Sequence, residues 1–146
     1  MNFLDSLAIS SSGLSAQRLR MNLISSNMAH VNTTRTETGE PYKRKDVIFK
    51  AAQRDGFQAL LEQHLRADEH GVQVARIIED NKPYLEKYDP GHPDADQNGY
   101  IRLPNVNIVE EMVNMISASR SFEANATAVR VTKEMAGTAL EIGKSP

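Results

Sequence analysis

The residues best spaced for chemistry lie between Asp94 and Asn105. Asp94, Asp96, Asn98, Gly99 and Ile101 set oxygen donors at alternate positions around a glycine, as in the first two thirds of an EF-hand calcium loop. The place of the closing bidentate carboxylate is taken by Asn105, Pro104 precedes it, and Pro90 and Pro93 preclude the entering helix. An Asp/Asn/Gly cluster also builds a tight turn with no metal, and the broken match favours that turn over a calcium site. His30, His64, His70 and His92 have no metal-ligand spacing, and Asp68, Glu69 and His70 read as a solvated loop. With no cysteine, disulfides, thiolate catalysis and cysteine zinc sites are excluded. There is no phosphate-cradling glycine loop, no dinucleotide fingerprint and no nucleophile elbow. Ser10 to Ser12, Ser25 and Ser26 fall on a helical stripe with no base near them in sequence. The reading is therefore no enzyme, no metal and no cofactor.

The elements around this cluster carry the stronger signal. From Asn107 to Ile142 the chain reads as one amphipathic helix with a seam in steps of four and three: Ile108, Met112, Met115, Ser119, Phe122, Ala126, Val129, Lys133, Ala136, Leu140. Pro104 blocks extension from upstream, Asn107 can cap the first free amides, and Glu110 stands where a capping box needs its carboxylate. Glu110 and Glu111 suit the positive end of the helix dipole, with Lys133 and Lys144 toward the other end. At ~1.5 Å per residue such a helix is roughly 50 Å long, more than one small globule can cover. The N-terminal segment repeats Leu7, Leu14, Met21 and Met28 every seven residues, with Ile24 and Val31 on the same side. Ser10 to Gly13 weaken helix propensity there, so the first turns are expected to bend or to form on assembly, and small residues allow another backbone to approach. A helical hairpin closed within a monomer is the plainer alternative for both seams. Asn22, Asn27, Asn32, Asn114 and Asn125 do not fit the seams and read as solvated, or as bonding across subunits.

The expected fold is mainly α, with long N- and C-terminal helices pairing as a coiled coil around a small, mostly β middle. Residues 1–32 form the N-terminal helix, 33–103 the extended and β region, and 104–146 the C-terminal helix, the two helices making one core domain. Thr33 to Pro41 is a turn-forming stretch; Tyr42 to Lys50, Val72 to Glu79 and Tyr100 to Leu103 are strand candidates. Phe57, Leu60, Leu61 and Leu65 suggest a short helix near 57–66, and Pro83, Pro90, Gly91 and Pro93 an irregular connector. A chain of 146 residues that is 40% hydrophobic, 5% aromatic and without tryptophan is one lean domain. Its net charge of -2 speaks against a nucleic-acid or anionic-membrane partner, and Lys43 to Lys45 reads as a solvated strand end. No apolar run spans a membrane, and with Arg18 the first positive side chain there is no secretory signal pattern. The protein is expected to stay in the cytosol or to leave by another route.

Two stretches resemble a known family. Ser12, Gly13, Leu14, Ser15, Ala16 and Gln17, leading to Ser26, Asn27, Met28, Ala29, His30, Val31, Asn32 and Thr33, are similar to the signature of the flagellar axial proteins of bacteria, with His30 where that family usually has asparagine. Tyr88, Asp89, Pro90, Gly91, Asn98, Gly99, Tyr100 and Asn105, then Glu111, Met112, Ser119, Arg120 and Phe122, resemble its proximal-rod members. The resemblance is weakest from Gln53 to Gly71. It implies a structural subunit of the flagellar rod, assembling helically through its terminal helices and passing torque toward the distal rod and hook. It also implies export through the flagellar type III apparatus and residence in the periplasmic rod. The partners would be other copies, other proximal and distal rod proteins, and the export-gate junction protein at the rod base. The seam Leu7, Leu14, Met21, Ile24, Met28, Val31, Ile108, Met112, Met115, Phe122, Val129 and Leu140 would pack between subunits. The competing reading is a calcium-responsive or coiled-coil adaptor.

Overall fold

The computed structural model describes residues 3–52 and 71–143. The short helix expected near 57–66, together with His64, Asp68, Glu69 and His70, lies outside the described residues. Two long helices flank a small β middle. Helix α1 spans Phe3–Ala29, and α2 spans Ile108–Ile142. Strand β1 is Lys45–Ala51, β2 Val72–Glu79, β3 Leu85–Tyr88 and β4 Tyr100–Leu103. They make two two-stranded sheets, β1 with β2 and β3 with β4. Both are antiparallel: Ala52 N–H donates to Gly71 C=O at 2.7 Å and Asp80 N–H to Arg44 C=O at 2.8 Å, at opposite ends of the first pair, and Leu85 faces Leu103 while Tyr88 faces Tyr100 in the second.

Local chemistry explains the boundaries. Helix α1 runs unbroken through Ser10 to Gly13, where a bend was expected. The hydroxyls turn back onto the helix there, Ser12 Oγ donating to Ile9 C=O at 2.7 Å and Ser15 Oγ to Ser11 C=O at 3.1 Å. After Ala29 the chain leaves the helix through Thr33 N–H to His30 C=O at 3.0 Å and turns again at Gly39, whose φ of 83° an L side chain resists. Asn107 caps α2 as expected, its Oδ1 accepting from Val109 N–H at 3.0 Å and Glu110 N–H at 3.4 Å. Strand β3 falls in the stretch read as irregular connector. All four of its residues are exposed, so no burial pattern marks it. Pairing with β4 makes it a strand, and a Tyr88–Tyr100 edge-to-face contact at 5.3 Å closes the hairpin.

The chain divides into two compact units. One comprises Met1–Leu19, Phe49–Ala75 and Ala118–Pro146, the other Arg20–Ile48 and Arg76–Ser117. In the first, small residues of α1 are buried: Ser10 at 8% and Ala16 at 3% exposure. A Cβ at Gly13 would stand 3.0 Å from Asn125 Oδ1 of α2, so the glycine admits the Asn125 side chain there. Ser12 Oγ also accepts Val72 N–H at 2.9 Å, tying β2 to α1. In the second unit the core is formed by Ile24, Tyr42, Ile101, Pro104 and Val106 around Asn27 and Glu111.

Candidate functional site

The centre of the second unit is polar. Asn27 of α1 and Glu111 of α2 are both wholly buried, where each polar atom needs a partner. Asn27 Nδ2 donates to Glu111 Oε2 at 3.0 Å and to Lys45 C=O at 2.9 Å. Its Oδ1 accepts from Lys45 N–H and from Tyr42 Oη, each at 2.9 Å. The side-chain amide thus pairs with the Lys45 backbone as a neighbouring strand would, while binding α2 through Glu111. It uses both donor hydrogens and two acceptor sites, the full capacity of a carboxamide.

Glu111 is neutralised from β1's side of the unit. Arg44 Nε and Nη2 both reach Glu111 Oε1 at 2.8 Å, and Nη1 reaches Asp46 Oδ2 at 3.2 Å. Burial, the largest single influence on Arg44, favours loss of its proton; the bond and charge of Glu111, then of Asp46, outweigh it and raise its pKa. His30 stacks on Tyr42 with ring centroids 4.6 Å apart and its Nδ1 lies 2.8 Å from Ser26 C=O. A cavity of about 40 Å³ lined by Arg20, Ile24, Arg44, Lys45, Asp46 and Asn114 lies beside it, space for water and far below the ~300 Å³ of an organic ligand site.

Sequence reasoning missed this network. Asn27 is buried and bonded within the chain rather than solvated, because Lys45, Tyr42 and Glu111 meet its four hydrogen-bonding needs. Arg44 turns inward from the Lys43 to Lys45 run, because Glu111 is a buried anion. The nearest sequence signal is an Asn in a helix with a Tyr-Lys-Arg strand entry downstream; nothing local pairs it with Glu111, 84 residues away.

The Asp cluster forms a turn. Asp96 Oδ1 accepts from Asn98 N–H at 2.8 Å and Tyr100 N–H at 2.9 Å, and Asp94 Oδ2 accepts from Thr34 Oγ1 at 2.7 Å. The Tyr100 amide, foremost, holds the Asp96 carboxyl below its ordinary pKa, with the Asn98 amide and Arg102 adding to it against the opposing effect of burial. Gly99 has φ 81°, and a Cβ there would lie 2.9 Å from Tyr88 Cε2. Among the described residues no cluster of three metal-ligating side chains occurs, and no helix is long and apolar enough to cross a membrane.

Of the seam residues, Ile24 is buried. Leu7, Leu14, Met21, Met28, Val31, Met115, Phe122 and Val129 are half-buried, while Ile108, Met112 and Leu140 are exposed. Among the motif residues, Ser26, Thr33, Asn105 and Ser119 are half-buried, Gly99 is buried, and Ala29, Asn32, Tyr88, Pro90, Gly91, Asn98, Tyr100 and Arg120 are exposed. The residues of α2 turned inward within the second unit are Glu111, Asn114 and Met115. Outward stand Val109 at 69%, Met112 at 49%, Val113 at 61% and Ile116 at 55% exposure. Such a stripe of large apolar side chains is the mark of an interaction surface.

Comparison with known proteins identifies the family. Residues 7–35 match the family described as flagella basal body rod protein, and residues 97–142 the flagellar basal body rod FlgEFG protein C-terminal family. Asn27 lies in one matched segment and Glu111 in the other. The chain is 45% identical to the flagellar basal-body rod protein FlgC of Borreliella burgdorferi, over 97% of this chain and 98% of that protein. It is 42% identical to that of Bacillus subtilis, over 99% and 100%, and 39% identical to that of Salmonella typhimurium, over 99% and 100%. Similarity at this level along nearly the whole of both chains means that the protein belongs to the FlgC family of flagellar basal-body rod proteins.

Proposed function

We propose that this chain is a structural subunit of the proximal part of the bacterial flagellar rod and carries no catalytic activity. The observation that carries the reading, beside family membership, is the outward apolar stripe Val109, Met112, Val113 and Ile116, continued in kind by Val131, Met135, Leu140 and Ile142. A free chain leaves these side chains in water, and each one buried contributes roughly 1.5 to 3 kcal/mol. Subunits related by a helical operator make open heterologous contacts, so such faces are covered by neighbours.

In this account the terminal helices, residues 1–32 and 104–146, pair as a coiled coil and form one core domain, with residues 33–103 as the outer region. The seam from Leu7 through Val31 and from Ile108 through Leu140 packs between protomers. The neighbours are other copies, other proximal and distal rod proteins, and the export-gate junction protein. Interlocked helices resist twisting, which suits transmission of torque from the motor to the distal rod and hook. Export through the flagellar type III apparatus, without a cleaved signal, delivers the chain to the periplasmic rod.

The test replaces the native copy in its host with Met112→Glu and with Val113→Glu. Both sites are exposed, so melting of the purified chain should move by no more than about 0.5 kcal/mol in stability. Swimming should be lost, and isolated basal bodies should lack the rod beyond the point of incorporation. Normal swimming with either variant would refute this face as a subunit interface.

A further inference from the structure

Within the second unit α2 is largely inside out: its inward side carries Glu111 and Asn114 beside Met115, while Val109, Met112, Val113 and Ile116 face water. At about 100° per residue, these four lie roughly 100° to 200° round the helix from Glu111. Burial of apolar area alone would turn an amphipathic helix the other way. Something must oppose that rotation, and the one wholly buried side chain of α2 within this unit is the charged Glu111. Glu111 is bound by Asn27 Nδ2 at 3.0 Å and by Arg44 at 2.8 Å. Asn27 is in turn fixed to the Lys45 backbone by two bonds of 2.9 Å.

We infer that the buried Asn27–Glu111–Arg44 network is a rotational lock, holding α2 with its apolar face outward against the hydrophobic preference of the free chain. A buried ion pair adds little net stability over an apolar replacement of similar shape, yet breaking it by removing one partner leaves an unpaired buried charge. Its value lies in permitting one orientation. A rotated α2 would carry the Glu111 carboxylate away from Arg44 and Asn27, leaving both without their partner. The four apolar side chains held outward belong to the face that the rod reading gives to neighbouring subunits, but the lock is a property of the free chain and is read without any assembly.

The test uses the full-length protein, whose lack of cysteine gives a clean background for single thiols. Ile116→Cys reports the outward face and Asn114→Cys the inward one, each alone and each combined with Arg44→Ala and Glu111→Ala, which remove both charges and their hydrogen bonds together without adding a large apolar side chain to the inward face. The readout is the rate of alkylation by iodoacetamide. The lock predicts that the double replacement slows alkylation at position 116 at least tenfold and speeds it at position 114 at least tenfold. Unchanged rates at both positions would overturn it, since α2 then keeps its orientation without the network. Faster alkylation at both would also overturn it, since the network then holds the fold as a whole rather than its orientation.

Discussion

Replacing Asn27 by alanine isolates the centre of the polar network. The substitution deletes the acceptor of Tyr42 Oη and Lys45 N–H and the donor to Lys45 C=O and Glu111 Oε2. Two of these groups keep other partners: Glu111 retains Arg44 at 2.8 Å, and Tyr42 Oη retains Ser26 Oγ at 3.4 Å. The Lys45 backbone groups lose the partner on α1. A buried donor or acceptor left unmade costs ~1 to 3 kcal/mol, so two such groups put the loss at about 2 to 6 kcal/mol, with water entry drawing it toward ~3. That is a large share of the ~5 to 15 kcal/mol stability usual for a domain. Urea denaturation followed by far-UV circular dichroism measures it, with the slope compared between the two proteins. A loss below about 1 kcal/mol at unchanged slope would refute the reasoning, because Asn27 would then not be the sole support of the Lys45 backbone. Asn27→Asp should be worse than alanine, since it sets a carboxylate against buried Glu111.

Two glycines with the same backbone sign should respond differently. Gly39→Ala has φ 83° and open space around it, so it should lose about 1 kcal/mol of stability, whereas Gly99→Ala, which also meets Tyr88 and Pro90, should lose about 2 to 3 kcal/mol, both by urea melts. Removing the α2 cap with Asn107→Ala should cost ~1 kcal/mol and speed exchange of the Val109 and Glu110 amides. Because the folded-state pKa of Asp96 is depressed below 3.8, the stability it gives the turn is present above that value and lost as pH falls through the folded pKa. Amide chemical shifts of Asn98 and Tyr100 recorded while lowering pH should report that loss, and Asp96→Asn should flatten it. Millimolar calcium should leave melting unchanged, since the Asp96 and Asp94 oxygens already accept from amides and Thr34.

Both helices, the Asn107 cap and strands β2 and β4 are legible in the sequence because each is written locally, in periodicity, capping residues or β-branched runs. Strand β3 is not, since Leu85 to Tyr88 are all exposed and acquire strand geometry from β4. Along α2, Met115, Ser119, Phe122 and Val129 of the expected seam are half-buried, as are Asn125 and Thr132, with Glu111 and Ala118 buried, while Met112, Ala126 and Lys133 are exposed. Hydrophobicity favours Met112 over Glu111, yet Glu111 is held inward by its bond to Asn27 of α1, and Asn125 takes the space left by Gly13. The same logic hid Asn27 and Arg44, whose types read as solvated and whose partner is far along the chain.

Hydrogen exchange, residue by residue, on the free full-length chain and on assembled rods tests the central claim that the chain holds its polar centre alone and completes its helices only among neighbours. The account predicts protected amides at 20–30 and 108–118 in the free chain, with rapid exchange at 3–19 and 119–142 that slows by orders of magnitude on assembly. Full protection of 3–19 and 119–142 in the free chain would mean that the seams close on themselves, contradicting the rod-subunit account.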